Sequence, residues 1–183
     1  MNLNLGPLKK YSGILVHPSS LPGGSYCGTF GKSVKDWINI LSIYKINTWQ
    51  FLPLSPTDSM GSPYSSPSSF AINPWFLDVD ELIESNYIKE SNQAKIFQLD
   101  VEKLDFFQFK VADQLSKLIG NLLLDSWELQ SYERKDQFYL WCKNNSWVDN
   151  FSVFMTLKEE FNFSAWWNWP EEFKYKNKLV IEQ

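Results

Sequence analysis

Residues 48–82 read TWQFLPLSPTDSMGSPYSSPSSFAINPWFLDVDEL, and this stretch decides the fold. It opens on an apolar run, Trp49, Phe51, Leu52 and Leu54, closed by Pro53 and Pro56. The run is too short for an ordinary helix and rich in aromatic residues, which predicts a buried strand of a parallel sheet over Thr48 to Leu54. Ser, Gly, Pro and Asn then dominate a long stretch that also carries Tyr64, Phe70 and Trp75. A floppy linker would not hold three large aromatic side chains. A long loop of fixed shape on a rigid strand is where binding groups sit. The pattern alone fits equally a surface loop with its own small core.

Upstream, Gly13 to Val16 carries Ile14, Leu15 and Val16 and ends at His17-Pro18, which predicts a first buried strand. Ser19 to Gly31 is punctuated by Pro22, Gly23, Gly24, Gly28 and Gly31 and reads as a loop. From Ser33 to Tyr44, Val34, Trp37, Ile38 and Leu41 recur at helical spacing and make one apolar stripe. Ser33 followed three residues later by Asp36 reads as a capping box at its start. Strand, helix and strand in this order make a βαβ unit, which demands a parallel pair with a right-handed crossover. His17 lies where a strand passes into a loop, which in a (β/α)8 barrel is the face that carries active sites. It reads either as a polar contact in a ligand cleft or as a histidine bonded to loop backbone.

Beyond Leu82 the strand signals fade. From Phe106 to Leu124, Phe107, Val111, Leu115, Leu118 and Leu122 keep helical spacing. Arg134 to Lys143 places Phe138, Trp141 and Cys142 on one side of a second helix. Ser146, with Asp149 three residues on, opens a third whose stripe is Trp147, Phe151, Phe154 and Met155. A polar stretch around Ser85 to Gln98 marks the expected boundary between residues 1–84 and 85–183. Residues 1–11 read as a short lead-in.

At 183 residues the chain is long enough for one domain with a real core. Its 9 Trp, 8 Tyr and 14 Phe suit sugar binding, because aromatic faces stack on the apolar faces of pyranose rings, although most such rings belong in cores. A net charge of −4 without a basic run argues against nucleic acid and anionic membranes as partners. Cys27 and Cys142 show no metal-ligand spacing, and the single histidine, His17, rules out a site within the chain built on two histidines. No cofactor or metal is expected. With no signal peptide and no apolar run of membrane-spanning length, a reducing cytoplasm is the default.

WQFLPLSPT (Trp49 to Thr57) and GSPYSSPSSFAINP (Gly61 to Pro74) closely resemble a signature of the 4-α-glucanotransferases, the amylomaltases and disproportionating enzymes of glycoside hydrolase family 77. SGILVHPSSLPGG is similar to that family's first barrel strand and following loop, and GTFGKSVKDW to its G-D-L-G-x-x-A-x-x-F. Thr29 stands where the family usually has Asp and less often Thr. WVDNFSVFMTLKEEF and WWNWPEEF resemble a helical insertion between the second and third barrel strands. The resemblance covers residues 11 to 174. It implies an α/β fold: an incomplete TIM (β/α)8 barrel, with its first two strands and intervening helix in residues 1–84, then a mainly helical insertion subdomain in 85–183. It implies transfer of α-1,4-glucan segments to an acceptor sugar, with α-1,4-glucans and maltooligosaccharides as partners. Within the cleft loop 55–75, Tyr64 is the expected sugar contact and Ser62 a hydroxyl partner. Asn73 either braces the loop or binds substrate, and His17 is the fourth candidate.

Retaining glucan transfer needs two carboxyl groups about 5 Å apart. Asp78, Asp80, Glu81 and Glu84 cluster, as do Glu159 with Glu160 and Glu171 with Glu172. All fall in or beside expected surface helices, where adjacent positions point different ways, so solvated charges are the expectation. The family's nucleophilic Asp and acid/base Glu belong to later barrel strands, and a whole barrel takes about 250 residues. No catalytic residue is therefore expected here. Three functions fit: part of a glucanotransferase, a non-catalytic glucan-binding module, or an inactive truncated relic. A downstream coding sequence for the missing strands would favour the first.

Overall fold

A computed structural model describes residues 12–24, 27–58, 60–93, 96 and 109–175. They fall into two compact units that divide at Leu129/Gln130.

In the first unit, strands β1 (Gly13–Leu15) and β2 (Thr48–Gln50) pair in parallel, with Gly13 opposite Thr48, Ile14 opposite Trp49 and Leu15 opposite Gln50. Helix α1 (Lys32–Ile43) connects them. The strand pair and its helix are as the apolar runs predict. Both strands are shorter than those runs, because ladder pairing stops where the partner stops. Val16 N–H still reaches the Gln50 carbonyl at 3.1 Å, and the Trp49 indole donates to the Val16 carbonyl at 2.8 Å. The strands are also less buried than expected: Leu15 is 59% exposed.

The expected capping box at Ser33 does not form. Helix α1 starts one residue earlier with Gly31 as its cap, and Ser33 Oγ is buried without a hydrogen-bond partner. The physical reason is tertiary. The Asp78 side chain packs against Gly31, where an added Cβ would lie 2.1 Å from Asp78 Cγ. Only glycine admits that approach. Asp36 pairs instead with Lys32 at the surface.

Helix α2 (Val79–Glu84) is short and capped by Asp78, whose Oδ1 accepts from Glu81 N–H at 3.0 Å. Helix α3 (Phe109–Trp127) follows; the expected first turn at 106–108 lies outside the described residues. Its buried face is Ala112, Leu115, Ile119, Leu122 and Ser126, while Leu118 is half-buried. Leu115, Ile119 and Leu122 join Ile88 and Ile96 in the main core, with Leu77, Val79, Leu82 and Ile83 packed on it. Ile88 and Ile96, from the polar stretch expected to be a boundary, thus supply core contacts.

The second unit holds α4 (Tyr132–Asn144), α5 (Trp147–Glu160) and a short α6 (Glu171–Lys174). Ser131 caps α4 through Arg134 N–H. The expected cap at Ser146 is not made: the residue is itself helical in backbone and its side chain accepts no cap bond. Trp169 is buried here, its ring 5.6 Å from Phe154 and 5.4 Å from Phe161. No helix among the described residues is long and apolar enough to cross a membrane.

Candidate functional site

Two loops leave the same ends of the two strands, one after β1 (residues 17–31) and one after β2 (residues 55–75). The first is packed down. Pro18, Leu21, Cys27, Thr29 and Gly31 are all buried. Phe30 N–H donates to the Phe76 carbonyl at 2.9 Å and their rings meet edge-on at 5.2 Å. The Cys27 thiol lies 3.6 Å from the Trp75 carbonyl, and burial pushes its pKa up to about 12, so it is no nucleophile.

Thr29 carries no charge, yet a carboxylate sits beside it: its hydroxyl donates to Asp78 Oδ2. Asp78 therefore uses one oxygen to cap α2 and the other to hold the first loop. It is half-buried, not one of several freely solvated charges.

His17 stands at the start of this loop, half-buried, with its ring 5.6 Å from that of Phe76. Nδ1 lies 2.7 Å from Ser19 Oγ and accepts from Ser19 N–H at 3.4 Å. Nε2 faces the Pro53 carbonyl at 3.5 Å. A carbonyl only accepts, so the neutral tautomer with the proton on Nε2 fits both neighbours. Burial lowers the His17 pKa, and the Pro53 carbonyl opposes that shift.

The second loop is held almost wholly by its own short polar side chains. Asp58 Oδ1 accepts from Met60 N–H and Ser62 N–H, both at 3.0 Å, and Gly61 supplies the left-handed backbone (φ 73°) that closes the turn. Ser62 Oγ accepts from Tyr64 N–H at 3.4 Å. Ser68 Oγ accepts from Phe70 and Ala71 N–H, both at 3.1 Å. The loop returns at Asn73, whose N–H donates to the Leu54 carbonyl at 2.8 Å. Asn73 Oδ1 accepts from Trp75 N–H at 3.1 Å, capping the short turn Pro74–Phe76. The Trp75 indole in turn donates to Asp113 of α3 at 2.9 Å, so the loop's far end is anchored to a helix.

The four sequence candidates thus divide. Asn73 is 4% exposed and His17 half-buried, and both grip the backbone that continues β2, at Leu54 and Pro53. Ser62 and Tyr64 lie further out and are linked to each other. The Tyr64 ring is 73% exposed. Beside the root of the loop, residues 51–55 and 69–72 line an open cleft of about 500 Å³, onto which Phe70 and Ile72 face. Asp58 and Ser68 have no role in the sequence reading and Asp78 reads there as a solvated charge, yet all three side chains shape these loops. The Asp58–Gly61 turn and the Asp78–Glu81 capping signature were both visible in the pattern.

Among the described residues no group of three or more His, Cys, Asp or Glu side chains is placed to hold a metal ion. The loops present hydroxyls, backbone groups, the exposed Asp58 carboxylate, the half-buried His17 imidazole and aromatic faces.

Comparison with known proteins gives this arrangement a family. The chain is 34% identical over 166 residues to a 4-alpha-glucanotransferase of Streptococcus pneumoniae serotype 4, covering 89% of this chain and 32% of that protein. It is 33% identical over 172 residues to the Clostridium butyricum 4-alpha-glucanotransferase, covering 92% and 34%. An amylomaltase from Streptococcus agalactiae, solved in complex with acarbose, superposes with a TM-score of 0.79 at 24% identity, over 95% of this chain and 37% of that one; it shows the fold alone. The chain therefore spans about a third of the length of these relatives. Matched over residues 16–183 by the family's model, the chain belongs to the 4-alpha-glucanotransferase family.

Proposed function

We propose that residues 1–84 hold the front of the α-1,4-glucan cleft of a 4-α-glucanotransferase, with the opening strands and helix of a (β/α)8 barrel. Residues 85–183 are then its helical insertion. The supporting observation is the loop after β2, which is braced at its root and by internal turns yet leaves Tyr64 exposed. A ring fixed at its backbone and free at its face is suited to stack on a pyranose. Ser62 adds a hydroxyl two residues away. Asn73 and His17 serve the cleft by bracing the backbone just after β2.

In this reading the two carboxyl groups that retaining transfer requires come from outside residues 1–183, and α-1,4-glucans and maltooligosaccharides are the substrates. The proposed compartment is the reducing cytoplasm; its support is that Cys27 and Cys142 are both free thiols.

The test joins residues 1–183 to the remaining two thirds of the Streptococcus pneumoniae relative and follows glucose release from maltotriose. The chimera is expected to be active and the 183-residue chain inactive. Glucose release by the 183-residue chain above a heat-killed control, lost on mutating one of its own acidic residues, contradicts the assignment of the carboxyl groups.

A further inference from the structure

Residues 161–169 of the second unit make a ribbon with two sides. Phe161 and Trp169 turn inward, and Phe161 also meets Phe173 at 5.2 Å. Phe163, Trp166 and Trp167 turn outward, 57%, 50% and 62% exposed. That outward side is built. Asn162 and Phe163 both adopt left-handed backbone, with φ of 51° and 58°, which is costly for a bulky side chain and persists only under restraint.

The restraints are present. Phe163 N–H donates to the Lys158 carbonyl at 2.6 Å, and Lys158 Nζ reaches the carbonyls of Phe163 and Ser164 at 3.4 and 3.5 Å. Ser164 Oγ accepts from the buried Trp169 indole at 3.2 Å. On this base the rings of Trp166 and Trp167 stand 5.8 Å apart at 80°, forming a corner with one wall and one floor. Neither indole N–H has a hydrogen-bond partner among the described residues.

We propose that Phe163, Trp166 and Trp167 form a second carbohydrate platform, on a different unit from Tyr64, that takes a neutral α-glucan chain. The inference rests on the substrate class proposed above. An indole face matches the apolar face of a pyranose, and a free N–H at its edge matches a ring hydroxyl. The flanking charges select against other ligands. Glu159, Glu160, Glu171 and Glu172 flank the ribbon in sequence against Lys158 and Lys174, which leaves residues 158–174 with a net charge of −2. A net negative surround disfavours phosphates and anionic surfaces, whereas a neutral sugar chain is indifferent to it.

The test is native affinity electrophoresis of the 183-residue chain in gels with and without soluble glycogen. Glycogen should retard the wild type. The double variant Trp166→Ala/Trp167→Ala should weaken the apparent affinity about five-fold or more, as loss of two stacking contacts implies. Trp167→Phe keeps an aromatic face and should retain most of the retardation, while far-UV circular dichroism of each variant should match the wild type. Tyr132→Ala, which removes an exposed ring that belongs neither to the corner nor to the cleft loop, should be retarded as the wild type. No retardation of the wild type, or equal retardation of the double variant, overturns the platform. Loss of self-association in the double variant without any glycogen effect also overturns it, because the corner is then a subunit contact. None of these outcomes touches the chimera assay, which tests the cleft independently.

Discussion

The loops after β1 and β2 begin at equivalent places and are built in opposite ways. The first, residues 17–31, is held by buried side chains and by contacts to Asp78, Trp75 and Phe76. The second, residues 55–75, is held by hydroxyls and one carboxylate bonded to its own backbone, and its large side chains Tyr64 and Phe70 point into solvent, 73% and 70% exposed. Packing is spent on position in one loop. In the other, short polar turns fix the backbone while the Tyr64 ring stays exposed. A loop that presents aromatic faces cannot use those faces as its own core.

This contrast breaks most severely at Gly31. Gly31→Ala puts a methyl group 2.1 Å from Asp78 Cγ and must expel that side chain. In the chimera it should cost about 2–3 kcal/mol by overpacking and lost hydrogen bonds, read as a fall in denaturation midpoint. An unchanged midpoint would mean that Asp78 does not hold the first loop. Asp78→Ala removes the α2 cap and the Thr29 partner without adding a clash, so about 1–2 kcal/mol is expected, with Thr29→Val costing less.

His17 sharpens the comparison through pH. Its folded-state pKa is lowered by burial, so the unfolded chain binds the proton more readily. The stabilisation is full above the ordinary histidine pKa and is lost as pH falls below it toward the folded value. The melting temperature should therefore drop between pH 7 and pH 5, and His17→Gln should flatten that slope. An identical slope in both proteins would remove His17 from the account. The exposed faces make a further prediction for the 183-residue chain alone. Leu15, Ile38 and Ile43 are 59%, 51% and 74% exposed, so it should bind a hydrophobic dye. A sharp monomeric melt without dye binding would contradict this.

How much of this was legible follows from the range of each interaction. The strands at Ile14 and Trp49 and the helix between them were readable, because apolar spacing within one element reports its type. Where β2 stops was not, since Gln50 ends the ladder for lack of a partner while the apolar run continues to Leu54. Ser33 and Asp36 carry the local signature of a cap, but Gly31 and Asp78, far apart in sequence, settle that helix start. Ile88 and Ile96 sit in a polar stretch, and only the face of α3 that receives them reveals them as core. The site came from a different kind of signal. Serines and prolines around Tyr64 announce a loop, while what it is for entered through the family motif.

The measurement that tests the central claim most directly is Tyr64→Ala in the chimera, with transfer rate and melting temperature followed together. A lost stacking contact is worth about 1 kcal/mol, which predicts a several-fold fall in kcat/KM, at about tenfold per 1.4 kcal/mol, with the melting temperature unchanged and Ser62→Ala milder. A melting temperature lowered by many degrees, with activity per folded molecule intact, would make Tyr64 part of the loop's packing and end its role as a sugar contact.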